Sequence, residues 1–208
     1  MKQLNHIAIA GNIGAGKTTL TQLLARHYKW QPQFESVENN PYLTDFYDDM
    51  ARWSFNLQVF FLKNRLNQLL EIKKSEHTII QDRTIYEDAR IFAPNLYEMG
   101  LMTTRDFENY SEFFDTLSQI IAPPDLIIYL RAGIPKLVDQ IQKRGREYED
   151  NIRLDYLKKL NYHYDNWANS YKDGEILIVD IDELDFSGKK KDFAYLIERV
   201  DTRINGLF

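Results

Sequence analysis

The sequence predicts an α/β fold in which a sheet of five parallel strands is covered by helices on both faces. Five short apolar or aromatic runs alternate with long segments of helical periodicity, which is the pattern of a parallel sheet. Residues 126–130 and 176–179 are almost continuously apolar, as in strands that are buried on both faces. No linker, repeat or low-complexity stretch divides the 208 residues, so we expect a single domain over 1–208.

In the first half of the chain, the predicted elements are a strand at 6–10, a helix at 17–27, a strand at 33–35 and helices at 41–50 and 52–74. Asn39, Asn40 and Pro41 end the loop before the second helix, because proline is tolerated in the first helical turn. Apolar residues occupy more than one stripe of the helix at 52–74, which predicts burial on two sides or a contact between subunits.

In the second half, the predicted elements are a strand at 78–81, helices at 85–92 and 103–121, a strand at 125–130, helices at 134–144 and 153–170, a strand at 175–179 and a last helix at 189–205. Pro123 and Pro124 end the helix that precedes the fourth strand. The carboxyl ends of parallel strands meet at one edge of the sheet, so we expect ligands to bind at that edge.

The composition excludes several classes of protein. A net charge of −5 and a pI near 5.4 provide no broad basic surface, so we expect no nucleic-acid partner. The chain has no cysteine and its four histidines lack metal-ligand spacing, which argues against a disulfide framework and a zinc site. No apolar run reaches the roughly 18 residues that a membrane span requires, so we expect no membrane partner and a cytoplasmic location.

A phosphate-binding loop follows the first strand directly. Residues 11–18 match the pattern G-x-x-x-x-G-K-[ST] in full. The glycines allow successive N–H groups to face one phosphate, Lys17 adds a positive charge, and the Thr18 hydroxyl can bind Mg²⁺. We therefore expect a bound nucleoside triphosphate, held by Gly11, Asn12, Ile13, Gly14, Ala15, Gly16, Lys17, Thr18 and Thr19.

Two clusters at strand ends have the residue types that phosphoryl transfer needs for positioning and charge neutralisation. Asp82 can hold Mg²⁺ or its waters, and Arg83 can reach the acceptor or a phosphate; a helix-capping aspartate beside a surface arginine is the alternative. Glu35 and Glu38 follow the second strand, and either can accept the proton of an attacking hydroxyl. Spacing alone does not choose between these two glutamates.

A third cluster, in residues 143–150, predicts a short lid that contains arginine. Arg144 and Arg146 flank Gly145 on the connection between two helices. Arginines on a closing connection neutralise the transferring group and exclude water that would hydrolyse the nucleotide. A charged loop between two helices is the simpler alternative.

Around this phosphate loop, the three clusters resemble the deoxyribonucleoside kinase family, which is similar to the thymidylate-kinase-like branch of phosphate-loop kinases. The resemblance covers most of the chain and rests on residues 11–18, Glu35-Ser36-Val37, Tyr47, Arg52-Trp53-Ser54-Phe55, Gln58, Arg65, Asp82-Arg83-Thr84, Tyr86, Asp88, Ile91-Phe92-Ala93, Arg144-Gly145-Arg146 and Glu149. It implies a homodimer that transfers the γ-phosphate of ATP, with Mg²⁺, to the 5′-hydroxyl of a deoxyribonucleoside in nucleotide salvage.

The resemblance also implies roles for the acceptor-side residues. Glu35 becomes the general base, although Ser36 stands where the family has proline and should loosen the turn. Asp82 stands where most members carry glutamate, so its contact with Mg²⁺ is expected to pass through water. Arg83 would assist Glu35 and the 5′-oxygen.

The sugar and the phosphates would be held by residues from three parts of the chain. By resemblance, Tyr47 and Glu149 bind the sugar 3′-hydroxyl, while Arg144 and Arg146 contact the phosphates. The loop at 180–186, after the fifth strand, would lie against the adenine of ATP.

Gln58, Arg65 and Asp88 match the residues that read the base in the cytidine- and purine-directed members of the family. A base without the complementary edge leaves such buried groups unpaired, at a cost of the order of a few kcal/mol. We therefore expect deoxyadenosine as the preferred substrate, then deoxyguanosine and deoxycytidine, with Phe92 as the stacking residue. An Arg65–Asp88 ion pair that merely joins two helices is the alternative.

Two other functions would use the same loop. A nucleoside monophosphate kinase needs arginines that face the acceptor's phosphate, whereas this sequence offers the carboxylates of Glu35 and Glu149 and the phenol of Tyr47. A regulatory nucleotide switch is expected to carry an Asn-Lys-x-Asp base-reading motif, which the sequence lacks.

Overall fold

A computed structural model of the protein describes residues 4–34, 40–146, 149 and 152–206. Within them lie the strands β1 (His6–Gly11), β2 (Gln31–Gln33), β3 (Ile79–Asp82), β4 (Leu126–Arg131) and β5 (Glu175–Asp180). They form one sheet in the order β2-β3-β1-β4-β5, and every pairing is parallel. The predicted five-stranded parallel sheet is confirmed.

The helices are α1 (Lys17–Tyr28), α2 (Leu43–Asp48), α3 (Met50–Lys74), α4 (Ile85–Glu87), α5 (Ala93–Glu98), α6 (Thr104–Ser118), α7 (Ile134–Arg144), α8 (Leu154–Ser170) and α9 (Lys190–Asn205). Every residue of β1 is buried, and successive side chains of a strand point to opposite faces, so both faces of the central sheet are covered. Among the described residues, no helix is both long and apolar enough to span a membrane.

The second strand differs from its prediction. A strand was expected at 33–35, but β2 is Gln31–Gln33, a short polar strand that pairs only with β3. Pro32 is tolerated there because an edge strand leaves one row of N–H groups outside the ladder. Residues 35–39, which include Glu35, lie outside the described residues.

The helices near the site also differ in their limits. The helix expected at 41–50 is α2, which ends at Asp48, and Asp49 then caps α3 by accepting a hydrogen bond from the Arg52 N–H at 3.1 Å. The helix expected at 85–92 is α4 followed by a π-helical turn, Asp88–Phe92, which continues into α5. Because Pro94 has no N–H, the helical hydrogen-bond ladder is interrupted here, and the wider turn accommodates it.

The sheet places the expected site residues at its carboxyl edge. β1 and β3 are neighbours, with Ile9 opposite Asp82 in register. The phosphate loop, which begins where β1 ends, therefore lies beside the residues that follow β3. Strand order also changes direction at β1, since β3 lies on one side of it and β4 on the other, and ligands bind at such crevices in open α/β sheets.

Candidate active site

The phosphate loop connects β1 to α1 and has a shape that only glycine allows at two positions. Gly14 and Gly16 have φ angles of 86° and 82°, in the left-handed region. A Cβ atom on Gly14 would lie 2.7 Å from the Leu137 carbonyl oxygen, so α7 packs directly against the loop. The loop is therefore held in a fixed curl by the backbone of a neighbouring helix.

Lys17 lies across this loop and is buried. Its Nζ donates hydrogen bonds to the carbonyl oxygens of Gly11 at 2.9 Å and Asn12 at 3.0 Å. Asn12 in turn donates through Nδ2 to the Leu157 carbonyl oxygen and Asn161 Oδ1, both at 3.1 Å, which anchors the loop to α8. These contacts position the ammonium group where a bound phosphate would meet it.

Thr18 and Asp82 form the pair that suits a metal ion. The Thr18 hydroxyl donates to Asp82 Oδ2 at 2.5 Å, and Asp82 Oδ1 is buried without a hydrogen-bond partner among the described residues. Mg²⁺ prefers hard oxygen ligands and usually takes one or two from the protein, with phosphate oxygens and waters completing its shell. This pair fits that requirement, and no group of three or more acidic or histidine side chains in the described residues offers a larger metal site.

Arg83 is buried, so the alternative of a surface arginine is wrong. Its φ of 68° places a non-glycine residue in the left-handed region, and its N–H donates to the Ile9 carbonyl oxygen at 3.0 Å. The guanidinium lies 4.4 Å from the ring centroid of Phe92, which is the residue that we expected to stack on the base. The helix cap is supplied by Thr84, and not by Asp82.

Arg65 and Asp88 are brought together in the interior. Arg65 Nε lies 3.4 Å from Asp88 Oδ2, and the two side chains are 2% and 1% exposed. Gln58 lies two turns before Arg65 on the buried side of α3, and its Oε1 has no hydrogen-bond partner among the described residues. The pair joins α3 to the π-helical turn, which is a structural contact, and its role in reading the base remains a prediction.

Glu87 is a site residue that sequence reasoning missed. It is fully buried and accepts hydrogen bonds from the Gly11 N–H at 3.3 Å, the Tyr164 hydroxyl at 2.9 Å and the Thr84 N–H at 2.8 Å. Burial raises the pKa of this carboxyl, although the positive charges of Arg83 and Lys17 oppose the shift. The pattern Thr84-x-x-Glu87, a capping box, was the signal that could have found it.

The lid arginines contact the residue that we expected to bind sugar. Arg144 ends α7, and its Nε and Nη2 donate to the two carboxylate oxygens of Glu149 at 3.0 and 2.5 Å. Arg146 Nη1 lies 3.5 Å from the same carboxylate. Of the lid expected at 143–150, residues 147, 148 and 150 lie outside the described residues.

Two further acceptor-side residues were expected from the sequence. Tyr47 is near the end of α2, half-buried, with its ring 5.2 Å from that of Phe46 in an edge contact. Glu35 lies outside the described residues, and Phe34 is the last described residue before it. The assignment of Glu35 as the general base remains a prediction.

A cavity beside the phosphate loop lies where we expected the adenine of ATP. Its volume is about 240 Å³, and its lining includes Gly16, Thr19, Gln140 and Phe186. Phe186 belongs to the loop after β5, and its ring would lie 3.0 Å from a Cβ on Gly16. The loop at 180–186 therefore lies beside the phosphate loop, and its contact with the adenine of ATP remains a prediction.

Fold and site together define a phosphate-loop nucleotide-binding enzyme. Residues 7–205 match the family described as deoxynucleoside kinase. The chain is 32% identical over 203 residues to a deoxyadenosine/deoxycytidine kinase of Bacillus subtilis, covering 96% of this chain and 93% of that protein. It is 34% identical over 198 residues to a deoxyguanosine kinase of the same organism, covering 93% and 95%. The chain belongs to the deoxynucleoside kinase family.

A solved structure gives the same result for the fold. The deoxyadenosine kinase from M. mycoides with bound dATP superposes with a TM-score of 0.85 at 30% identity, covering 96% of this chain and 100% of that one. The protein is therefore an ATP-dependent kinase that phosphorylates deoxynucleosides. Family membership decides against the two alternatives, a nucleoside monophosphate kinase and a regulatory switch.

Proposed function

We propose that the enzyme transfers the γ-phosphate of ATP to the 5′-hydroxyl of a purine deoxynucleoside, deoxyadenosine before deoxyguanosine, with deoxycytidine next. The observation that carries this proposal is the buried Arg65–Asp88 pair, with a Gln58 oxygen on the same helix as Arg65 that has no partner in the described part of the chain. The relatives named for deoxyadenosine, deoxycytidine and deoxyguanosine support the same choice.

The chemistry of these groups favours a base with an amino group beside a ring nitrogen. A carboxylate accepts from the amino group, a guanidinium donates to the ring nitrogen, and an amide can do either. Adenine and cytosine present that edge, and guanine has its amino group beside the N3 ring nitrogen, whereas thymine presents a carbonyl oxygen beside an N–H. Thymine would therefore not match the groups that Asp88 and Arg65 turn towards the base, and such a mismatch inside the protein is costly.

Phosphoryl transfer would draw on the residues around the loop. Lys17 and the loop N–H groups bind the phosphates, and Thr18 and Asp82 hold Mg²⁺, the latter through water. When bound, the metal ion neutralises charge on the phosphates. Arg83 lies next to Asp82, where it would assist the 5′-oxygen, and Glu35 would accept the proton of the 5′-hydroxyl.

The lid arginines and Glu149 would exchange partners when substrates bind. In the structure, Arg144 is held by the Glu149 carboxylate. We propose that the phosphates of ATP take over Arg144 and Arg146, because a bound triphosphate carries more negative charge than one carboxylate. Glu149 is then released to bind the sugar 3′-hydroxyl together with Tyr47.

The test is ATP turnover with separate acceptors: the four deoxynucleosides, their monophosphates and the matching ribonucleosides, with Mg²⁺ present and with Mg²⁺ chelated. We expect turnover that depends on Mg²⁺, with a purine deoxynucleoside as the best acceptor. Turnover on monophosphates alone, or turnover that survives chelation, would contradict the proposal.

We also propose that the whole chain acts as one kinase domain in a cytoplasmic homodimer. An apolar groove of about 400 Å³ between α3 and α6 supports the dimer, with Phe55, Val59, Leu66 and Phe113 among its lining residues. Its apolar lining matches the sequence-based expectation that the helix at 52–74 has more than one apolar stripe.

A further inference from the structure

Gln68 lies on α3 one turn beyond Arg65, and both ends of its side-chain amide are engaged. Its Oε1 accepts hydrogen bonds from Arg65 Nη1 at 3.1 Å and from Gln81 Nε2 at 3.0 Å. Its Nε2 donates to the backbone carbonyl of Phe34 at 2.8 Å. One side chain therefore contacts the base-site arginine, strand β3 and the residue that follows β2.

The chemistry of its neighbours fixes the orientation of this amide. Arg65 offers only donors, so the atom of Gln68 that faces it must be the oxygen. The carbonyl of Phe34 offers only lone pairs, so the atom that faces it must be the amide nitrogen. Rotation of the amide by half a turn would set donor against donor and acceptor against acceptor, and both hydrogen bonds would be lost.

The contact with Gln68 completes the support of the Arg65 guanidinium. Arg65 Nε faces Asp88 at 3.4 Å, and Nη1 donates to the Asp82 carbonyl oxygen at 3.2 Å as well as to Gln68. A guanidinium is planar, so contacts at two of its nitrogens fix the plane in which it can donate to a ligand. The direction of those donors decides which base edge they match.

We propose that Gln68 is a positioning residue that selects the base by setting the orientation of Arg65, and that its separate contact with the Phe34 carbonyl holds the chain leaving β2 in a way that affects all deoxynucleosides alike. The inference rests on the proposed function, in which Arg65 and Asp88 read the base. Gln68 itself does not touch the substrate in this account. Its effect passes through Arg65 on one side and through the Phe34 carbonyl on the other.

Two substitutions separate the two contacts. Gln68→Met removes both of these, together with the hydrogen bond from Gln81, and leaves a side chain of similar length. We expect kcat/KM for deoxyadenosine to fall about tenfold, as for one buried polar contact of about 1.4 kcal/mol, and the ratio of deoxyadenosine to deoxycytidine to change by at least about threefold. The KM for ATP should stay within about twofold, because Gln68 contacts no residue of the phosphate loop.

Gln68→Glu keeps an acceptor for Arg65 and removes the donor to Phe34. We expect this variant to retain the wild-type ranking of deoxynucleosides, while kcat/KM falls for all of them alike. A loss of packing alone would lower thermal stability in both variants. It would not change the ranking in Gln68→Met while leaving the ranking intact in Gln68→Glu. The ratio of kcat/KM between two deoxynucleosides is therefore the readout that separates positioning from stability.

Gln33→Ala is the matched control. Gln33 Nε2 makes another contact between β2 and α3, with the Gln68 carbonyl at 3.4 Å and Glu71 Oε2 at 3.1 Å, and neither contact involves Arg65. We expect its ranking of deoxynucleosides to equal that of the wild type.

Asp88→Ala, measured in parallel, separates the two ways in which the inference can fail. If Asp88→Ala changes the ranking and Gln68→Met does not, the positioning role of Gln68 is wrong while the base site stands. If neither changes the ranking, the base site itself is wrong and the inference falls with it. A changed ranking in Gln33→Ala would also overturn the inference, because the effect would then not pass through Arg65.

Discussion

At the scale of single residues, Thr18 and Asp82 form the candidate magnesium site. Thr18 and Asp82 are 64 residues apart in sequence, and their side chains meet because β1 and β3 are paired in register. The second carboxylate oxygen of Asp82 is buried and unpartnered among the described residues, and burying such a group without a partner is costly. A cation bound with the nucleotide would satisfy that oxygen.

Asp82→Asn tests this site, because it keeps the shape of the side chain and removes its negative charge. We expect the Mg²⁺ concentration for half-maximal rate to rise at least about tenfold, since a neutral amide attracts a hard cation and its bound waters much less than a carboxylate does. The measurement is the initial rate against Mg²⁺ concentration at saturating ATP. Asp115→Asn, which changes an exposed carboxylate, is the control, and an unchanged Mg²⁺ requirement in Asp82→Asn would contradict the assignment.

Sequence reasoning predicted the residues of the phosphate loop and Asp82 because their roles follow from local spacing and from strand ends. It could not predict the role of Glu87 in the same way. The carboxylate of Glu87 meets the Gly11 N–H and the Tyr164 hydroxyl, which are 76 and 77 residues away, and those meetings depend on how the strand and helices pack. Glu35 lies outside the described residues, so its role still rests on resemblance.

At the scale of elements, the start of β1 carries a buried histidine. The ring of His6 is 3.0 Å from Gln81 Oε1 on β3, and burial lowers its pKa from 6.5 to about 4, against the opposing effects of Gln81 and Asp125. The folded protein therefore holds His6 neutral at pH values where the unfolded chain protonates it.

This difference predicts how stability varies with pH. Between pH 4 and 6.5 the unfolded state binds more protons at His6 than the folded state does. The free energy of unfolding should therefore rise with pH across that window, and the contribution of His6 to stability should be lost as pH falls. The contribution is of the order of 3 kcal/mol. Denaturant unfolding of the wild type and of His6→Gln at several pH values measures it, and parallel curves for the two proteins would refute the prediction.

Secondary-structure elements were predicted well where the hydrophobic pattern of the sequence was strong. They were predicted poorly where contacts with other elements determined the local structure. The buried strands β1 and β4 have continuous apolar runs, and both were found within a residue of the expected limits. β2 is polar, contains Pro32 and exists because β3 offers it a partner, which no local pattern shows. The π-helical turn at Asp88–Phe92 lies in a segment whose periodicity predicted one continuous helix, and such a periodicity does not distinguish a π-helical turn from an α-helix.

At the scale of the whole molecule, the apolar groove between α3 and α6 bears on assembly. Phe113, on α6, lines this groove and is 49% exposed, and a monomer seldom leaves a contiguous apolar patch open to water. A second copy of the chain would remove this surface from water.

Phe113→Glu should weaken the proposed dimer, because a charge would be buried at its contact. We expect the dimer dissociation constant, measured by sedimentation equilibrium, to rise at least about tenfold, which corresponds to about 1.4 kcal/mol. Tyr162→Glu is the control, since Tyr162 is an exposed aromatic residue on α8. A wild type that sediments as a monomer, or a Phe113→Glu protein with unchanged dissociation, would count against the dimer.

The molecule as a whole joins the phosphate loop between β1 and α1 to the proposed base site at α3 and the π-helical turn. Two residues lie between these sites. Arg83 directly follows β3, and Glu87 accepts a hydrogen bond from the Gly11 N–H of the phosphate loop. The sequence indicated the phosphate loop and, by resemblance, a base site that stays a prediction, but it could not show how the two are connected, because the connection runs through buried contacts between distant segments. The central claim is that Arg65 and Asp88 choose the base while the loop binds ATP independently of that choice.

The most direct test is kcat/KM for deoxyadenosine, deoxyguanosine, deoxycytidine and thymidine, measured in the wild type and in Asp88→Ala. We expect the wild type to prefer deoxyadenosine and to discriminate against thymidine. In Asp88→Ala that discrimination should fall at least about tenfold, as expected for the loss of one buried charged contact, with the KM for ATP within about twofold. An unchanged ranking in the variant, or a wild type that prefers thymidine, would contradict the account.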